Sequence, residues 1–137
     1  MGKRRKAREI VLQALYESEF SDRTGKEILE SQADERASSE DTVEYATALF
    51  ASVLDHVERL DNEIRNAVEH WDFGRISLVD KSILRFAMAE ILYFHDVPTK
   101  VIINEAIDIA HKYSSSDAGK FVNGVLDKFA GEHRRND

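Results

Sequence analysis

Cysteine is absent from the 137 residues. That excludes disulfides, thiolate nucleophiles and cysteine-ligated zinc. Proline occurs once and glycine six times, too few turn-formers for a fold of many short strands. No apolar run approaches the roughly 20 residues of a membrane span. The stretch "IVLQALY" (10–16) follows a run of bases, as in a secretory signal, but Gln13 and Glu17 break it and no small-residue cleavage site follows. It reads as mature protein, with a cytoplasmic location as the default. Also missing are a glycine-rich phosphate loop and a G-x-S-x-G nucleophile turn. Of the histidines His56, His70, His95, His111 and His133, no two stand at i, i+4, and none belongs to a metal motif. Glu105 and Asp108 share a helix face, but among 26 acids such pairs are ordinarily solvated. The sequence therefore gives no support for an enzyme, a metal site or a cofactor.

What is present is helical periodicity. Ala7, Ile10, Val11, Ala14 and Leu15 follow the spacing of one helix face, predicting a first helix over 3–20. A weaker helix is expected over 26–35, and "ASSEDT" (37–42) is a polar linker with good N-cap residues. From Val43 to Ile64 the apolar positions alternate +3 and +4, and Asp61 reads as a fresh N-cap, so a break is predicted near Leu60. "HWDFGRIS" (70–77) reads as a loop, and Ser77 with Asp80 resembles a capping box. Residues 78–94 are apolar almost all round, as in a helix at the centre of a bundle. After "HDVPT" (95–99), Thr99 is expected to cap a sixth helix, and "SSSD" (114–117) to open a seventh over 117–130. Gly119 and Gly124 fall inside that last helix. Each costs about 1 kcal/mol relative to alanine, which close approach of a neighbouring helix or ligand would offset. Seven helices and no strand define an all-α fold with a core that suits one domain.

Charge is unevenly placed. The net charge is −7, yet Lys3, Arg4, Arg5, Lys6 and Arg8 put five bases in six consecutive positions. The rest of the chain carries 14 basic and 26 acidic residues, a net −12. Bases also oppose the macrodipole at a helix N-terminus, so the cluster suggests that local stability yields to another role. On a helix, Arg5, Arg8, Leu12 and Tyr16 form a second stripe beside the apolar one. Guanidiniums with a tyrosine on one strip suit an RNA strand, through phosphate pairing and base stacking. If five phosphates are neutralised, log K against log salt should slope about −3.5, at ~0.7 per single-strand contact. A second candidate is "DAGKF" (117–121), where the free N–H groups of the last helix could receive an anion. Lys120 adds charge there, and Phe121 is either a core residue or a stacking platform. The acidic remainder could receive a basic protein.

Three segments resemble the NusB family of bacterial transcription antitermination factors. They are "RRKAREIVLQALYESEF" (4–20), "DKSILRFAMAEILY" (80–93) and "DVPTKVIINEAIDIAHKYSSSDAGKFVNGVLDKFA" (96–130). The resemblance spans essentially the whole chain. It implies a single all-helical RNA-binding domain, 1–137, with an N-terminal three-helix part (about 1–59) on a C-terminal four-helix part (60–137). It also implies binding of boxA RNA together with NusE, a ribosomal protein of the small subunit. Other Nus factors and RNA polymerase are engaged indirectly, in support of ribosomal RNA transcription and without catalysis. By position, RNA contacts are implied at Lys3, Arg4, Arg5, Lys6, Arg8, Asp117, Lys120 and Phe121, the last now as a partly exposed ring. Tyr16 joins them from the stripe above. Asp80, Arg85 and Glu90 map to the NusE-facing surface. Two rival readings stand beside this one: an RNA-guiding module of the kind attached to RNA methyltransferases, and a structural homodimer whose basic patch is buried or paired with acids.

Overall fold

The computed structural model describes residues 2–36, 38–68 and 72–133. Helices run α1 Lys3–Ser18, α2 Gly25–Glu35, α3 Glu40–Asp55, α4 Val57–Ala67, α5 Leu78–Tyr93, α6 Thr99–Tyr113 and α7 Ser116–His133. A 3-10 turn at Phe73–Arg75 precedes α5, and no strand occurs among the described residues. His70 and the start of its loop lie outside the described residues. Among those described, no group of acidic and histidine side chains is placed to hold a metal, and no helix is long and apolar enough to cross a membrane.

Local chemistry sets most helix starts. Thr24 and Glu27 form a complete capping box: the Thr24 hydroxyl accepts from the Glu27 N–H, and the Glu27 carboxylate accepts from the Thr24 N–H. Ser39 opens α3 by accepting from the Thr42 N–H. Ser77 opens α5 by accepting from the Asp80 N–H at 3.1 Å. The Asp80 half of that box is not made, and one of its carboxylate oxygens is buried without a partner among the described residues. Ser115, not Asp117, opens α7, accepting from the Ala118 N–H at 3.0 Å. Thr99 is the first residue of α6, not its cap; Pro98 takes that place, its carbonyl accepting from the Ile102 N–H.

The break in the long apolar pattern comes at His56, not near Leu60. Leu60 and Ile64 are both fully buried, and keeping them on one face requires the chain to turn before them. His56 stabilises that turn, stacking on Tyr93 with ring centroids 4.1 Å apart. Asp61, expected as a cap, sits inside α4 and pairs with Arg85.

The helix that is apolar all round lies where its pattern demands. α5 packs against α1, α3, α4, α6 and α7. Its Ile83, Leu84, Phe86 and Met88 are fully buried, each contributing about 1.5–3 kcal/mol. α1 packs on α2 and α3, and α6 packs on α7, so the three-helix and four-helix parts share one continuous core. A Cβ at Gly119 would lie 2.0 Å from the His111 ring, so α6 does approach α7 there. Gly124 differs: nothing lies within 4 Å of a Cβ at that position, and the expected close approach is absent.

Candidate nucleic-acid interface

The basic cluster divides into an outer and an inner tier. Lys3 and Arg4 form the outer tier. Lys3 Nζ lies 2.9 Å from Asp41 on α3, and Arg4 lies 3.5 Å from Asp96 in the α5–α6 turn. All four side chains are largely exposed, between 49% and 76%. The Arg4 guanidinium also lies over the Tyr45 ring, 4.6 Å from its centroid. Lys6 is half-buried beside them. α1 has no acid in its first turn and no side-chain cap, so Asp41 and Asp96 supply from other elements the negative charge its dipole favours.

Arg5 and Arg8 form the inner tier, with side chains only 17% and 2% exposed. Arg5 donates to both Glu105 oxygens, at 2.7 and 2.6 Å, and to Asp108 at 2.8 Å. Arg8 is 2% exposed and forms a two-pronged pair with Glu90, itself 0% exposed, at 2.7 and 2.8 Å. A further contact joins Arg8 to Glu105 at 3.3 Å, and the Tyr45 hydroxyl donates to Glu90 at 2.6 Å. Hydrogen bonds from Arg5 hold the Glu105 carboxyl below the usual carboxylate range. The Arg5 guanidinium is correspondingly pushed up, chiefly by its hydrogen bonds to Glu105. Burial works against the Arg8 charge, but the Glu90 bonds outweigh it and the guanidinium stays protonated. Burial, then the Glu90 carboxylate, pushes the Tyr45 phenol up. The network ties α1 to α3, α5 and α6.

This burial bears on two sequence expectations. Arg8, expected at the RNA surface, and Glu90, expected at a partner surface, are buried and neutralise each other inside the bundle. The stripe Arg5–Arg8–Leu12–Tyr16 points mostly inward, since Leu12 is also 2% exposed; only Tyr16, at 41%, reaches the surface. Arg85, on the third partner position, is spent on a two-pronged pair with Asp61 at 2.7 and 3.1 Å.

Asp80, Asp117 and Phe121 do come together. They line an open groove of about 290 Å³ between the starts of α5 and α7, with Arg75, Ser77 and Ser115. Phe121 is half-buried, between the core and the exposed platform expected of it, and Lys120 beside it is exposed. A second hollow is lined by Leu12, Gln13, Tyr16, Val79 and Tyr113, and its Val79 is the sequence neighbour of Asp80 in the groove. α1 and α6 run in the same direction, as the pairs Arg5–Glu105 and Glu9–Lys112 show. The edge of α1 that follows α6 therefore runs from Arg5 through Glu9 to Tyr16, roughly 17 Å at 1.5 Å per residue, while Lys3 and Arg4 border a separate cleft against α3. Residues distant in sequence thus meet in two places: cations over a cleft between α1 and α3, and aromatic rings with carboxylates at the starts of α5 and α7.

The NusB family profile matches residues 5–131. The chain belongs to the NusB family. It is 40% identical over 123 residues to the transcription antitermination protein NusB of Dehalococcoides mccartyi (strain CBDB1), covering 90% of this chain and 86% of that protein. The fold matches T. maritima NusB with a TM-score of 0.89 and 38% identity, covering 96% of this chain and 93% of that one. It also matches a chain from a crystal structure of the antitermination factors NusB and NusE in complex with dsRNA, with a TM-score of 0.86 and 26% identity, over 95% of this chain and 97% of that one.

Sequence reasoning missed Asp41, Asp96 and Tyr45, which hold the cluster, Arg75, which lines the groove, and Val79 and Tyr113, which line the hollow. One signal was visible. Glu105 and Asp108 at i, i+3 form one acidic face, and a dense basic helix elsewhere in the chain gives that face a partner.

Proposed function

We propose that this chain is a non-catalytic transcription antitermination factor that binds boxA-type RNA together with the ribosomal protein NusE. The single observation that carries the reading is the open groove of Asp80, Asp117 and Phe121 with the exposed Lys120 beside it; Lys3 and Arg4 add exposed cations at the start of α1. A nucleic-acid strand needs phosphate contacts to position it and ring or hydrogen-bonding contacts to be read. Lys3, Arg4, Lys6 and Lys120 supply the first kind. Tyr16 and Phe121 offer ring faces, and Asp117 offers a carboxylate that accepts from base amino groups. Arg8 shapes the surface from beneath, and Arg5 is engaged by Glu105 and Asp108. Family membership supports the same reading, as does the structural likeness to a NusB seen with NusE and RNA. The net charge of −7 suits a basic protein partner, with Asp80, which lines the open groove, as a predicted contact.

The test is fluorescence anisotropy with a labelled boxA RNA and a scrambled control, each with and without NusE. Preference for boxA, increased by NusE, supports the reading. Four accessible cations, in place of the five clustered ones, revise the salt slope to about −2.8 at ~0.7 per contact. Equal weak binding of both RNAs, indifferent to NusE, refutes it. A structural role for the basic cluster has its own support in the Arg5 and Arg8 pairs, but that role accounts for the inner tier alone.

A further inference from the structure

We infer that Asp41 and Asp96 set the affinity of this surface for RNA, by occupying Lys3 and Arg4 whenever RNA is absent. The inference rests on the RNA reading above. Lys3 and Arg4 are the most exposed members of the basic cluster, and each is matched to a carboxylate from a different element, α3 for one and the α5–α6 turn for the other. The carboxylates are as exposed as the cations they hold, at 76% and 73%. Pairs of that kind are held weakly in water, so a phosphate can take either cation. Arg8 cannot exchange in this way, because Glu90 is buried with it; Arg5, 17% exposed, is held by two carboxylates at once, Glu105 and the exposed Asp108.

The exchange site is open. Lys3, Arg4, Asp41, Glu44, Tyr45 and Ala48 line a cleft of about 430 Å³ between the start of α1 and α3. The Tyr45 ring beneath Arg4 keeps that guanidinium in place when Asp96 lets go. A phosphate that replaces a carboxylate leaves the acid standing a few ångströms away. Two unit charges about 6 Å apart in water repel enough to weaken binding roughly threefold. Two acids therefore hold the affinity down by roughly tenfold at low ionic strength, and screening erases this near 1 M salt. Phosphate contacts carry no sequence information, so the acids weaken binding to all RNA equally.

Asp41→Asn, Asp96→Asn and the double variant are titrated against labelled boxA and scrambled single-stranded RNA at low and high salt. Glu58→Gln, an exposed acid on α4, controls for net charge. The expected result is about threefold tighter binding per Asn and about tenfold for the pair. The gain is the same on both RNAs, is lost at high salt, and is absent when Lys3→Gln and Arg4→Gln are also present. Unchanged affinity in the double variant, with binding still weakened by Lys3→Gln/Arg4→Gln, overturns the inference and leaves the RNA reading intact. An equal gain from Glu58→Gln overturns it too, since the effect is then net charge. Failure of every protein to bind either RNA overturns the RNA reading, and this inference with it.

Discussion

Replacing Arg8 by methionine separates a structural from an RNA-binding role for the basic helix. Methionine keeps the length of the side chain and removes its charge. Glu90, fully buried, then loses the guanidinium and keeps the Tyr45 hydroxyl at 2.6 Å. Removing one member of a buried ion pair costs about 3–5 kcal/mol, because the surviving charge stays desolvated after its counter-charge is gone. With the Tyr45 bond retained, the lower end, about 3 kcal/mol, is expected. At about 2.1 cal/mol/K per residue, 137 residues shift Tm by about 3.5 °C per kcal/mol, so the melting point should fall by roughly 10 °C. Urea titration followed by circular dichroism measures the free energy directly. Arg8→Met/Glu90→Gln should recover at least half of the loss, since glutamine is neutral and its carbonyl still accepts from Tyr45. RNA affinity, measured well below the melting point, should stay within about twofold of wild type. A loss of less than about 1 kcal/mol, or a fivefold drop in RNA affinity at unchanged stability, would refute the argument and return Arg8 to the RNA surface.

Other expectations follow from the same contacts. Lys3→Met/Arg4→Met should change stability by less than about 1 kcal/mol, as exposed pairs do, yet weaken RNA binding in the anisotropy assay. Glu105 titrates below its ordinary 4.5 because Arg5 donates to its charged form. Its stabilising effect is therefore fully present above pH 4.5 and fades as pH falls through the depressed value. Urea midpoints measured from pH 6.5 to 3.5 should drop less steeply in Glu105→Gln than in wild type. Tyr45 is raised above its ordinary 10.0 by burial and by Glu90, so its contribution is complete below pH 10 and is lost above it. Tyr45→Phe should flatten that alkaline loss and cost about 1.5–3 kcal/mol at neutral pH. Gly124→Ala meets nothing within 4 Å and should stabilise by about 0.5–1 kcal/mol in thermal melts. Gly119→Ala should approach that gain only in a His111→Ala background.

The sequence alone determined the helices. Periodicity and caps act within a turn or two, so α1, α2, α5 and α7 could be read from their own residues to within a few positions. The central place of α5 followed from apolar residues around its whole circumference. Even the misplaced break belongs here, because Asp61 is a good cap by composition and only the burial of Leu60 with Ile64 moved the turn to His56. The groove was half legible: "DAGKF" and Asp80 were each picked out, but nothing local says that the starts of α5 and α7 meet. Tertiary structure decided what the basic cluster does. Five bases in six positions look alike as sequence, yet they face different neighbours because helix positions rotate about 100° apart. That rotation sends Arg8 to Glu90 in the core and Arg5 to Glu105, 100 positions away, and leaves Lys3 and Arg4 at the surface with Asp41 and Asp96. A charge's role depends on its burial and its partner, and both are set by packing between segments that do not touch along the chain.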